Sequence, residues 1–221
     1  RELLDLAKSS KTSAQKPLVV ANPNFDRGNA GQGSPRSTLL ASNSSTQQRS
    51  SDLGTQNWRP LPGTEKEGKA VTELTNAQLL MGDQATALAV QQQGAPKVLH
   101  LASHAYFVAD QEKEKPNAEP LLRLQSNASP LPKALQGENP LLRSGIVLAG
   151  ANQPDANSKD DGYLTALEVA KLDWQGTEMV VVSGCESGKG DIQAGEGVYG
   201  LKRAIAVAGA RSSLLSLWKV D

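Results

Sequence analysis

Apolar residues fall in short runs along this chain, and the spacing inside each run separates strands from helices. Unbroken β-rich runs occur in KPLVVAN (16–22), PKVLHLASH (96–104), SGIVLAGAN (144–152), TEMVVVSG (177–184) and RSSLLSLWKVD (211–221), and each predicts a strand. The fourth of these runs, TEMVVVSG, is continuous enough to be expected to be covered on both faces. Helical spacing appears between the strands. GTEKEGKAVTELTNAQLLMG (63–82) sets Thr64 three residues ahead of Glu67, which predicts a capping box, with Val71 and Leu74 at helical spacing. DQATALAVQQQ (83–93) predicts a second short helix, and LTALEVAKLDW (164–174) a third, capped by Thr165 with Glu168. GEGVYGLKRAIAVAGA (195–210) places Val198, Leu201, Ile205 and Ala208 on one face, with Gly200 and Ala204 allowing close approach to a sheet and Gly209 ending the helix.

Two polar stretches interrupt the alternation. Residues 26–57 are dominated by Gly, Ser, Asn, Gln and Thr and read as a low-complexity surface insertion, and a charged excursion carries four prolines from Pro116 to Pro132. Strands alternating with helices imply parallel pairing through right-handed crossovers, with ligands and reactive groups gathered beyond the carboxyl ends of the strands. The length of 221 residues suits one such α/β domain over the whole chain.

Charge narrows the choice of partners. With 23 basic and 23 acidic residues the chain has no overall reason to bind nucleic acid or an anionic membrane. No apolar run approaches the roughly 20 residues that span a bilayer. A lone cysteine, Cys185, rules out an internal disulfide framework and suits a reducing, cytoplasmic setting. The first residue is Arg1 rather than Met, so the sequence reads as a piece of a longer protein.

Several motifs fail on inspection. A phosphate-binding loop needs G-x-x-x-x-G-K-[ST] between a strand and a helix. GTEKEGKA (63–70) ends in Ala70 and follows the proline-containing NWRPLP, while GCESGKG (184–190) is one residue short and ends in Gly190. His100 and His104 lie four apart, but in a β-rich run and without a second cysteine to complete a zinc site. A C-x-x-C redox pair is excluded by the lone cysteine.

What survives is one cysteine and one histidine, each at the exit of a predicted strand. Cysteine attack on a carbonyl needs a thiolate, a proton shuttle and donors for the oxyanion. Cys185 would be the nucleophile and His104 the base, and glycines 184, 188 and 190 would let backbone N–H groups approach a substrate. The plainer alternatives are a small buried cysteine and a hydrogen-bonded structural histidine, and residue pattern alone leaves both open.

The ordered segments VLHLASHAYF, SGIVLAGAN, DGYLTALEVAKLD and VVVSGCESGKGDIQAGEGVYGLKRAIAVAGARSSLLSLWKVD resemble the CHAT family, caspase-like domains often found beside TPR repeats and distantly similar to separase. The resemblance runs through 96–107 and 140–221 and is slight before residue 60. It implies a three-layer caspase-haemoglobinase-like α/β fold, with a central mostly parallel sheet flanked by helices. It further implies a cysteine endopeptidase with a His104–Cys185 dyad, a thioester acyl-enzyme, a protein or peptide substrate, no cofactor and no metal. Regulation by a TPR or other neighbouring domain goes with it. The backbone N–H groups of Ala105 and Cys185 would form the oxyanion hole, and Asp221 would be a substrate-binding residue for arginine before the cut bond. The family usually has glycine where this chain has Ala105, and more often Ala and Thr where it has Gly184 and Ser187. A catalytically inactive scaffold of the same fold is the alternative reading, and a nucleotide-binding α/β module a third, which would hold phosphate at 184–190.

Overall fold

Apolar residues on both sides of a strand require cover on both sides, and the first strand meets that requirement. The computed structural model describes residues 15–28, 53, 56–108, 139–153, 160–184 and 196–216. In β1 (Leu18–Pro23), Leu18 and Val20 face one side and Val19 and Ala21 the other, and all four are buried. β2 (Gln78–Gly82), β3 (Val98–Ala102), β7 (Met179–Ser183) and β8 (Ser213–Leu215) join it in one five-stranded sheet of order β2-β1-β3-β7-β8, and every pairing is parallel.

Helix α1 (Pro62–Thr75) covers the face that carries Val19, Ala21 and Ala102, with Val71 packed against them. It comes so close that a Cβ on Gly68 would stand 2.5 Å from the Ala21 Cβ. The opposite face, with Leu18, Val20, Leu99, Leu101, Val180 and Val182, is covered by α2 (Ala87–Gln92), α3 (Ala166–Val169) and α4 (Glu196–Val207). On α4, Leu201, Ala204 and Ile205 are buried, and Ala208 follows them into the core before Gly209 turns the chain at φ +101°. This is a mixed α/β, three-layer, caspase-like arrangement with a central parallel sheet between helices, as the resemblance implies. Among the described residues no helix is long and apolar enough to cross a membrane.

The strand predicted from SGIVLAGAN is real but does not join the main sheet. β5 (Ser144–Val147) pairs antiparallel with β4 (Ala105–Phe107) on one side and β6 (Tyr163–Thr165) on the other, in a separate three-stranded sheet. The stretch 63–82 divides into α1 and the edge strand β2, because Asn76 adopts the left-handed conformation (φ +51°) and ends the helix. Nor does β7 lie between two equally covering layers. Val180 and Val182 are buried, Met179 is 41 % exposed and Val181 intermediate, so its apolar run serves one face fully and the other in part. Of the polar insertion 26–57, only 26–28, 53, 56 and 57 are described; Leu53 is buried beside Phe25 and Trp58, so that end of the insertion supplies the core. The proline-rich excursion from Pro116 to Pro132 lies outside the described residues.

The two capping boxes have different fates. Thr165 and Glu168 form one at α3, each side chain bonded to the other residue's backbone N–H. Thr64 and Glu67 do not: Leu61 is the N-cap, Pro62 begins the helix, and both polar side chains serve the sheet instead. Thr64 Oγ1 accepts the Asn22 N–H (3.0 Å) and donates to the Leu61 carbonyl (2.8 Å). Glu67 accepts from His100 Nε2 at 2.9 Å, and this bond, assisted by the Ser183 hydroxyl, holds the carboxyl pKa below its ordinary value against the opposing effect of burial. Leu74, set at helical spacing from Val71, is 85 % exposed. A Thr64→Val variant keeps the shape of the side chain and removes both bonds at the β1–α1 junction. It is expected to lose about 1–2 kcal/mol in a urea unfolding curve; an unchanged midpoint would show that water replaces both partners.

Candidate active site

The pairing of β3 with β7 sets Ala102 opposite Ser183 and continues one residue further, with Ser103 N–H donating to the Ser183 carbonyl at 3.2 Å. The next residue on the first chain is His104. Beyond it the chain leaves the main sheet as β4, and the His104 carbonyl accepts the first ladder bond from Val147 N–H at 2.8 Å. His104 therefore sits where two sheets part, beyond the carboxyl end of a central strand.

Its ring is 4 % exposed and lies between two aromatic rings, Phe25 at a centroid distance of 5.2 Å and Trp58 at 5.3 Å, each inclined by 39°. Nε2 is 2.8 Å from the carbonyl oxygen of Arg59. A carbonyl only accepts, so Nε2 carries a proton, and in the neutral ring Nδ1 is the nitrogen with the lone pair. Burial pushes the His104 pKa below the ordinary histidine value, and the Arg59 carbonyl opposes part of that shift by favouring the charged ring. The environment therefore favours a neutral imidazole in one tautomer. Trp58 is fixed in turn by its indole N–H, which donates to the Tyr163 hydroxyl at 2.9 Å, and Tyr106 packs edge-on against Tyr163.

Ala105 contributes a backbone donor. In the β4–β5 ladder the bonded positions are the even-numbered ones of β4, marked by Val147 N–H to His104 and Val108 N–H to Arg143, so the intervening Ala105 N–H is not used by that ladder and turns away from β5. Gly184 lies on that side. A Cβ placed on Gly184 would stand 3.3 Å from Ala105 N, 3.3 Å from Ala105 Cβ and 2.6 Å from the Ser103 carbonyl oxygen. The Ser216 hydroxyl, just past β8, accepts the Gly184 N–H (3.2 Å) and donates to the Gly184 carbonyl (2.6 Å), fixing the last peptide before Cys185.

Of the sequence-derived site residues, His104 and Ala105 are thus adjacent at one strand exit, with the residue that precedes Cys185 against them. Cys185 itself and Asp221 lie outside the described residues, as does all of the 184–190 motif beyond Gly184. The other phosphate-loop imitation, 63–70, is the first part of α1; no strand delivers it, and Lys69 is bonded to Glu65. His100 and His104 do not converge, since His100 pairs with Glu67 from α1 and His104 with Arg59 beyond the sheet. No group of three or more His, Cys, Asp or Glu arranged for a metal occurs among the described residues. Sequence reasoning missed the shell around the histidine: Phe25, Trp58, the Arg59 carbonyl and Asn152. The one available signal was scarcity. With 3 Trp, 3 Tyr and 2 Phe in the chain, the gathering of Phe25, Trp58, Tyr106 and Tyr163 around one site draws on a limited supply.

No curated protein matches this chain. The family comparison accounts for all of it: the CHAT domain model matches residues 1–221, that family is caspase-like and peptidase-related, and the chain belongs to the CHAT domain family.

Proposed function

We propose that the protein is a cysteine endopeptidase that cleaves a protein substrate through His104 and Cys185. One observation carries this reading: the parallel register of β3 and β7, in which Ala102 faces Ser183 and each chain then runs two residues on, to His104 in one case and Cys185 in the other. In this mechanism Nδ1 of His104 takes the thiol proton, and the thiolate attacks the scissile carbonyl. The N–H groups of Ala105 and Cys185 stabilise the oxyanion. Collapse of the tetrahedral intermediate expels the amine, which receives its proton from His104, and leaves a thioester. Water, activated by the same imidazole, then hydrolyses that thioester. These steps call on no cofactor. Asp221 would read a basic residue ahead of the cut bond, and a neighbouring domain or partner would govern access.

The test is labelling of the protein by a peptidyl electrophile, scored by mass. Cys185 is the only cysteine of these 221 residues, so an adduct located within them by peptide mapping identifies it. The expected result is stoichiometric labelling at neutral pH that is strongly slowed in His104→Gln. Labelling no faster than that of a free thiol in solution, together with failure to cut any member of a peptide library, would favour a non-catalytic scaffold of the same fold.

A further inference from the structure

The bond from His104 to the Arg59 carbonyl is only as well placed as the segment that carries Arg59. Residues 56–60 form no regular secondary structure, so no ladder holds them. A single side chain does the equivalent work. Asn152 Oδ1 accepts the Trp58 N–H at 2.7 Å, and Asn152 Nδ2 donates to the Trp58 carbonyl at 2.9 Å. The carboxamide thus grips the backbone of Trp58 as a partner strand would. Its second Nδ2 proton goes to Asp26 Oδ1 at 2.8 Å, which leaves one orientation of the amide: turned over, it would set oxygen against two acceptors and NH₂ against a donor.

The same residue also controls the other ring beside the histidine. Asn152 N–H donates to the Phe25 carbonyl at 2.9 Å. One asparagine therefore fixes the peptide positions of both Phe25 and Trp58, which flank the His104 imidazole, and of the Trp58–Arg59 linkage whose far carbonyl accepts the hydrogen bond from Nε2–H.

We propose that Asn152 is the positioning residue of His104, setting the ring's tautomer and direction through the Trp58–Arg59 backbone. The proposal deepens the peptidase reading and rests on it for its kinetic consequence, while the state of the imidazole can be measured without catalysis. Asn152→Ala removes the grip and is expected to lower kcat roughly tenfold per titrated active site, with KM little changed, because a base displaced by a fraction of an ångström loses its line to the thiol. Asn152→Asp is expected to do at least as much harm, since a carboxylate would face both the Trp58 carbonyl and Asp26. Asp26→Asn keeps an acceptor for Nδ2 and is expected to stay within threefold of the parent.

Proton NMR supplies the readout that a merely structural role would not move. In a Cys185→Ala background the His104 Nε2–H resonance is expected downfield and slow to exchange, and lost or broadened when Asn152 is replaced. In the unsubstituted protein the Trp58 amide and the Asn152 carboxamide protons are expected to be protected from exchange, a reading that needs no variant at this position. Wild-type kcat per active site in folded Asn152→Ala, an unchanged Nε2–H signal in that variant, or rapid exchange of the Trp58 amide in the parent would each overturn the proposal. Absence of peptidase activity with the NMR pattern intact would instead count against the peptidase reading alone.

Discussion

Replacing Cys185 by alanine is expected to stop peptide cleavage, and replacing His104 by glutamine to slow it about a thousandfold. Glutamine can still offer an N–H towards the Arg59 carbonyl, so the second variant keeps the anchoring contact and loses the proton shuttle. Both effects belong to the chemical step, so thermal unfolding should change far less than rate. The pH profile adds a sign. Burial between Phe25 and Trp58 holds the His104 pKa below the ordinary histidine value, so the neutral base persists to lower pH than an exposed histidine would allow. The acid limb of kcat/KM is accordingly expected below about pH 6.5. The same shift links to stability. The unfolded chain binds a proton at the ordinary pKa and the folded chain only at lower pH, so this group's stabilising contribution is present above the unfolded value and lost as pH falls through the folded one. Cleavage by Cys185→Ala at the parent's rate, or an acid limb centred above the ordinary histidine pKa, would sink this reading.

The sheet and the histidine were legible for the same reason. β1, β3 and β7 are apolar enough to require burial, and a polar residue that closes such a run, as His104 closes LASH, must sit at the strand exit. Short antiparallel strands left no such trace. β4 and β6 are three residues each, too short for a period to declare itself, and β5 looks in sequence like any buried parallel strand. The pair of T-x-x-E motifs shows how tertiary partners override a local rule. Thr165 and Glu168 have each other as their main partners and form the capping box, although Gln91 also reaches Glu168. Thr64 and Glu67 have Asn22 and His100 within reach, with Pro62 already fixing the helix start, and the box is abandoned. The shell of the site was illegible for a different reason. Its key acceptor at His104 is the backbone carbonyl of Arg59, which any residue could supply, and Phe25, Trp58 and Asn152 arrive from two connections, β1–α1 and β5–β6, whose meeting depends on the fold.

Gly184→Ala is expected to cost about 1–3 kcal/mol in stability and up to about a hundredfold in rate, and a second change, Ala105→Gly, to recover part of both. The CHAT resemblance read from the sequence implies glycine after the histidine and alanine before the cysteine as the usual pair; this chain has Ala105 and Gly184. In space these two positions are neighbours. A methyl on Gly184 would stand 2.6 Å from the Ser103 carbonyl oxygen, the main obstacle, and 3.3 Å from the methyl of Ala105, a lesser one. The Ser103 carbonyl cannot retreat easily. Its residue is tied to Ser183 through N–H and to the Val147 carbonyl through its hydroxyl, while Gly184 is held from behind by Ser216. The added methyl must therefore push the two exits apart, at the point where the chain leaves β3 and β7. Removing the Ala105 methyl gives that backbone somewhere to settle, and the two substitutions should couple by about 0.5–3 kcal/mol in a double-mutant cycle. Denaturant midpoints and kcat/KM for the parent, both single variants and the pair decide the matter: strict additivity in both would mean that the methyls at 105 and 184 do not share one space.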